Sequence, residues 1–416
     1  MLRLALATTV VAVVSARIEG QPSSPPPPPD IRITLDAAHE RYRPRVTAAA
    51  QESLARYRQW MGRGPDSPLT IADRLDVRPG STGVAVVIDP PWWSPPRAME
   101  VESQVAFGVA RLWFRHLRAM DDAIPLADSV SWYLQSRVVE RLFDHAYRPI
   151  YTDETVRFFG GGIPWVFETL PLSRWSAGLG RAEFLQRVTR GGIGATGGRR
   201  LPPAFDPRAL QGALAFGTLE RHLGWPALQS ALRVVAERAT DGPMDRATFV
   251  DTVGAAVGQD LSWFFAQAFD PAVRFAYAVT EFSSAPGDVP CGAGPCYATH
   301  VGVTRRGDGL FTGTSHAPVG TGESGDALEL RVTFENGQTA SARWDGRAAT
   351  RAFEFRSSSR ALTAQLDPDR TLVLDLDPDA HVRLLAPRTN VPLTKWTARW
   401  VMWLQDAMLT YGLLFW

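Results

Sequence analysis

Lysine is almost missing from this chain of 416 residues: Lys395 is the only one, and arginine supplies the rest of the basic charge. Lys+Arg number 44 against 43 Asp+Glu, so the formal net charge is +1. A balance this even leaves no overall basic field to hold nucleic acid and argues against it as a partner. The arginine bias reads as codon usage in a GC-rich genome. Cysteine is scarce too, with only Cys291 and Cys296, in Cys-Gly-Ala-Gly-Pro-Cys. A structural zinc site wants four ligands and only His300 stands nearby, so a small disulfide loop is the better reading of the pair in an exported chain. No apolar run is long enough to span a bilayer comfortably. There is also no G-x-S-x-G elbow and no P-loop, and Gly191-Gly192-Ile193-Gly194 lacks the strand and the acidic residue that a dinucleotide fingerprint needs.

What is present is an ordinary globular composition, 45% hydrophobic, 10% aromatic and 21% charged. The length exceeds what one hydrophobic core supports and calls for two or three domains. Residues 1–16 read as an export signal, with Arg3 as a minimal basic head, an apolar run over 4–14, and Val14-Ser15-Ala16 as a small-residue cleavage site. Residues 17–30, with prolines 25–29, read as a stiff extended linker. The folded part is expected from residue 31, and the mature protein in the periplasm or cell envelope.

Helical spacing of apolar residues runs over 46–60, ended by the Gly62–Pro65 turn. Short buried strands are expected at 69–73 and 83–88. Val101, Val105, Val109, Leu112 and Trp113 recur at steps of three and four and place one core-facing stripe on a helix, with Phe107, Gly108, Arg111 and Phe114 off it. A second helix is expected over 129–144, with Asp128 at its N-cap. Glycines at 160–162 and 191–198 mark loops. From 210 to 269 the pattern is helical, with a hairpin at Gly224-Trp225-Pro226, a break at Asp241-Gly242-Pro243 and a last helix capped by Asp260. After Pro271 short alternating runs take over, at 274–282, 297–304, 328–334, 338–344, 350–355, 361–366 and 372–375. Asn336-Gly337 marks a two-residue hairpin, and the spacing predicts an antiparallel β-sandwich over 271–388. Residues 389–416 form an aromatic, amphipathic helix. It either folds back on the protein or lies in a membrane interface through Trp396, Trp400 and Trp403.

The run Val105-Ala106-Phe107-Gly108-Val109-Ala110-Arg111-Leu112-Trp113-Phe114 resembles the V-A-H-E-L-A-H-Q-W-F helix of the membrane alanyl aminopeptidases, a gluzincin family of zinc metallopeptidases. The stretch 126–134, ending Tyr133-Leu134, is similar to that family's W-L-N-E-G-F-A-x-Y-L. Leu210-Gln211-Gly212-Ala213-Leu214 is similar to Y-E-K-G-A-L, and Asp260-Leu261-Ser262-Trp263-Phe264-Phe265 to D-L-D-W-F-F. The resemblance covers about residues 46–270 and implies an α+β fold: a thermolysin-like, mainly helical domain over 31–270, followed by the sandwich and the C-terminal helix.

Every catalytic position that aligns is altered. The resemblance puts the zinc-binding histidines at Phe107 and Arg111, the general base at Gly108 and the tyrosine that steadies the tetrahedral intermediate at Ala209. The third ligand falls on Asp128 if the loop before it is two residues shorter than the family's, or on Val130 at the family's ungapped spacing, and neither is a glutamate. The substrate-gripping G-x-M-E-N strand has no counterpart near Gly83. Arg111 works against any cation at Asp128, since a fixed positive charge about 4 Å from a divalent ion costs on the order of 8 kcal/mol at an effective dielectric of about 20. The expectation is therefore a pseudoenzyme that has lost its zinc, has no cofactor, and binds a peptide or an envelope protein in the old cleft or through its tail. Two alternatives stay open. One is a working hydrolase with a site rebuilt on Asp128, Glu100 or Glu102, and His116. The other is a structural module held at a membrane by the C-terminal helix.

Overall fold

The computed structural model describes residues 31–62, 64, 69–73, 83–86, 100–117, 124–144, 207–239, 242–291, 294–312, 328–375, 377–386, 397 and 401. The expected export signal and linker, the two glycine-rich loops, and the tail helix with Trp396, Trp400 and Trp403 lie outside the described residues.

Strand β1 (Ile31–Thr34) pairs in parallel with β2 (Leu69–Ala72), and β2 in parallel with β3 (Gly83–Ala85). Two parallel neighbours cannot be joined by a tight turn. The crossover from β1 to β2 is helix α1 (Arg43–Met61), entered through a 3-10 turn at Ala37–Tyr42 and Pro44 in its first turn, and ended at Gly62 with φ +82°. Its buried side chains Val46, Ala49, Ala50, Leu54, Tyr57 and Trp60 follow the helical period and form one face.

Helix α2 (Glu100–Phe114) lies between α1 and α3 (Leu126–Asp144). Of the expected stripe, Val101, Val105, Val109 and Trp113 are buried and Leu112 is partly buried. Phe107 at 8% and Phe114 at 0% are buried as well, against the expectation that they lie off the core. The reason is that α2 has neighbours on several sides. Tyr57 on α1 donates its hydroxyl to Ala106 O at 3.0 Å, Arg45 grips Glu102 through two bonds of 2.6 and 2.8 Å, and β3 presses on Gly108. Burial pushes the Tyr57 hydroxyl well above its ordinary pKa, so it stays a donor.

Helix α3 starts three residues earlier than expected, which moves Asp128 from the N-cap into the first turn. The Ser129 N–H donates to Pro125 O at 3.0 Å, closing a helical turn already at 125, and the Ser129 hydroxyl donates to the same carbonyl at 2.6 Å. Helix α4 (Pro207–Leu223) is the most enclosed, with residues 209–219 all buried. It packs on α3 where Gly212 faces Ser129. Helix α5 (Trp225–Arg238) follows across Gly224 at φ +83°, as the hairpin signal predicts. Helix α6 (Arg246–Val257) starts at Asp245, whose carboxylate accepts the Thr248 N–H at 2.8 Å. Helix α7 (Ser262–Ala268) is preceded by Asp260, which accepts the Ser262 N–H at 2.9 Å. Phe216, Phe249, Phe265 and Phe269 meet at ring distances of 5.5 to 6.2 Å and fill the space between α4, α6 and α7.

Beyond Pro271 the chain forms two antiparallel sheets. One has the order β4 (Tyr277–Cys291), β5 (Gly294–Arg305), β8 (Thr350–Ser357). The other has β10 (Val382–Leu384), β9 (Ala361–Leu366), β6 (Leu328–Phe334), β7 (Thr339–Trp344). Val279, Val301 and Val303 of the first share a core with Leu330, Val332 and Leu366 of the second. The turn joining β6 to β7 has three residues, Glu335 to Gly337, rather than the expected two: the Phe334 N–H donates to Gln338 O, and Gly337 alone of the three has a positive φ, +80°. Cys296 is in a disulfide, and no described cysteine is free.

The expected strand at 372–375 is absent, although Leu372, Val373 and Leu374 are buried. Side-chain carboxylates hold the backbone there instead of a ladder. Asp367 accepts the N–H groups of Thr371 and Leu372 at 2.8 and 2.9 Å, with Asp367 and Arg370 at φ +48° and +54°. Buried Asp375 accepts the Tyr277 N–H at 2.8 Å and stands 2.8 Å from His381 Nε2. This turn also ties the sheets to the helices, because Arg221 on α4 donates to the carbonyls of Asp369 and Arg370.

Candidate functional site

The cleft of interest is set by the side of α2 that faces the start of α3. Phe107, Arg111 and Arg115 succeed one another at intervals of four, and such residues lie above one another on a helix. Arg111 Nε stands 3.0 Å from Asp128 Oδ1 across the gap between α2 and α3. The guanidinium carbon lies 5.9 Å from the centre of the Phe107 ring, and that ring meets Trp132 of α3 at 5.3 Å. Phe107, Arg111, Asp128 and Trp132 therefore form one connected group. Arg111 is half exposed and Asp128 largely covered, at 49% and 16% side-chain exposure.

Gly108 has a different surrounding. A Cβ built there would lie 2.3 Å from Val84 Cγ1 and 3.3 Å from Val84 Cβ and Cγ2. Val84 is 2% exposed and β-branched, with little rotamer freedom to retreat. Without its glycine, α2 could not approach β3 this closely. Ala209 is fully buried at the start of α4 and adds no polar group.

Between Arg111 and the loop that leads into α3 is a cavity of about 340 Å³. Arg111, Arg115, His116 and Asp128 line it together with Leu117, Leu126 and Pro243. Arg115 Nε donates to His116 Nε2 at 3.1 Å, and the His116 carbonyl accepts the Met244 N–H at 3.0 Å. Arg115 and Trp132 belong to this group but escaped the sequence reading. Their signal was a spacing of four residues from Arg111 and from Asp128.

These residues do not fit a zinc ion. A hydrolytic site needs three donors with an open fourth position and a nearby carboxylate base. Of the described residues gathered here, Phe107 offers no donor, Arg111 brings a positive charge, and the one carboxylate, Asp128, stands on that guanidinium. Glu102, a candidate for a rebuilt hydrolase site, is 6% exposed and engaged by both donors of Arg45. It is thus a buried structural anion between α1 and α2, far from the role of a free base.

A second polar group lies at the edge of the parallel sheet. Asp36, His39 and Asp73 bring one ligand-type atom each within 4.8 Å of one another. Asp73 Oδ2 accepts the Asp36 N–H at 2.7 Å and stands 2.8 Å from His39 Nδ1. Burial by itself would raise the Asp73 carboxyl, but the Asp36 N–H and His39 outweigh it and hold it below the ordinary aspartate range. Those bonds account for the geometry as a clasp between β2 and the 3-10 turn.

No known protein-family profile matches the chain, and no curated protein is similar to it. Among solved structures it has a likeness to the crystal structure of Legionella pneumophila aminopeptidase A in complex with aspartic acid, at 10% sequence identity and a TM-score of 0.43. The match covers 83% of this chain and 36% of that one, so the chain spans about a third of that protein's length.

Proposed function

We propose that the protein is an exported, non-catalytic relative of the zinc aminopeptidases that binds a peptide or a cell-envelope partner in the cleft between α2 and the start of α3. The observation that carries this reading is the 3.0 Å contact between Arg111 Nε and Asp128 Oδ1. The family resemblance puts metal ligands at these two positions, and the ion pair sets a guanidinium where a metal donor would stand. The Val84–Gly108 approach supports it further, because a general-base glutamate at 108 would collide with β3. Retained packing residues beside altered polar ones point the same way: the cleft stays built while its chemistry changes. The apolar run over residues 4–14 supports the export part of the proposal, and a membrane contact through the tail tryptophans is a further part of it.

The test is a peptidase assay on the purified mature protein, with unblocked aminoacyl p-nitroanilides covering apolar, basic and acidic side chains, in the presence of added zinc. The expected result is no release of p-nitroaniline above a heat-denatured control. Zinc-dependent release that is lost in Asp128→Asn would overturn the reading.

A further inference from the structure

The cavity beside the ion pair has a composition that selects a ligand, and the argument rests on the reading of this cleft as a binding site. Arg111 and Arg115 each commit one nitrogen. Arg111 Nε stands on Asp128 Oδ1, and Arg115 Nε donates to His116 Nε2. Among the described residues, neither guanidinium uses its terminal nitrogens in a hydrogen bond or ion pair. Asp128 is the one acidic residue of the described lining, and Arg111 offsets its charge. Among the described lining residues the charge of Arg115 is left in excess, beside His116 and the apolar Leu117, Leu126 and Pro243. Leu117 and Leu126 are each 3% exposed and firmly seated, so those walls are preformed.

We infer that this cavity binds a carboxylate carried on a short apolar group, as at the C-terminal residue of a peptide. Arginine presents parallel N–H pairs that match the two oxygens of a carboxylate, and such charge-assisted pairs are about twice as strong as neutral ones. The apolar walls favour a ligand whose charge sits next to a hydrocarbon body. A volume of about 340 Å³ falls at the small end of ligand pockets, enough for one residue of a peptide and its terminal group. The same carboxylate chemistry is offered by an aspartate or glutamate side chain, and the experiment separates the two sources.

Calorimetric titration of the full mature chain with three blocked probes provides the test: N-acetyl-Ala-Ala-Leu with a free carboxylate, the same peptide as its amide, and N-acetyl-Ala-Ala-Asp-amide. The expected result is binding of the free acid, weakened by about tenfold or more in the amide and by a similar factor in Arg115→Gln. Arg115 is exposed and among the described residues its side chain bonds only to His116, so this variant is expected to keep the fold, and the acid–amide comparison needs no variant at all. Preference for the aspartyl amide over the leucyl acid would assign the side-chain source. Equal affinity for acid and amide, an unchanged affinity in Arg115→Gln, or no binding of any probe would overturn the inference. Hydrolysis of unblocked Ala-Ala-Leu by the same protein is read separately: it would overturn the non-catalytic reading, while a preference for acid over amide would still support the carboxylate site.

Discussion

A methyl group added at Gly108 would stand 2.3 Å from Val84 Cγ1, well inside any real carbon–carbon contact. Because Val84 is buried and stiff, the strain has to be met by moving α2 or β3. Gly108→Ala is expected to lower stability by about 1–3 kcal/mol, the usual cost of overpacking a tight core, although alanine is the better helix former. Urea unfolding of the two proteins, compared at constant m-value, checks this. An unchanged midpoint would mean that β3 gives way freely and that the base position has room after all. Arg111 and Asp128 make the complementary case. Each is a liability for a metal site, and together they form a contact that ties α2 to α3.

At the scale of elements, the clasp of Asp73 on the 3-10 turn shows how a polar cluster can serve structure. The Asp73 carboxyl is held below its ordinary range, so in the folded state it stays ionised at a lower pH than in the unfolded chain. Its contribution is therefore fully present above the unfolded value of about 3.9 and is lost as pH falls through the lowered folded value. Asp73→Asn is expected to lower the melting temperature at neutral pH and to lose less on acidification below about pH 4 than the unmodified protein does. Parallel melting curves that keep a constant gap down to pH 2 would contradict the assignment.

Legibility also divides by element. Helices α1 and α4 to α7 were readable because their apolar residues keep the helical period and their ends carry Gly62, Gly224 and Asp260. The six strands from β4 to β9 were readable from alternation and the Asn336-Gly337 turn. The parallel sheet was not, because pairing of residues 31–34 with 69–72 is set by the α1 crossover and leaves no local mark. The segment 372–375 misled because a buried apolar run reads as a strand, whereas carboxylates at Asp367 and Asp375 hold this backbone through their own hydrogen bonds. The start of α3 was misplaced for a similar reason: Pro125 supplies the first helical carbonyl, and Asp128 looked like a cap. At the site, the family resemblance singled out Phe107, Gly108, Arg111, Asp128 and Ala209, of which the structure brings Phe107, Arg111 and Asp128 together, while Gly108 faces Val84 and Ala209 is buried in α4. The Arg111–Asp128 contact and the Val84 wall needed three-dimensional packing to become visible.

At the scale of the whole molecule, the helices and sheets share one continuous apolar core, running from Tyr42 through Phe216 to Leu374. Arg137, stacked 3.6 Å over the Trp225 ring and 2.5 Å from Glu220, and Arg221, bonded to the 369–370 turn, show that arginine in this chain serves the interior as well as the surface. With the core closed around α2 on most sides, Arg111 and Arg115 stand on the exposed side of that helix, where the proposed binding cleft lies. Its central claim is that the positions of a metal site now hold an ion pair. The most direct measurement is zinc per chain by elemental analysis, on the mature protein purified without chelator and without a histidine tag, beside Asp128→Asn prepared the same way. The account predicts no zinc that depends on Asp128, and so equal values for the two proteins. Close to one zinc per chain in the unmodified protein, lost in Asp128→Asn, would contradict it.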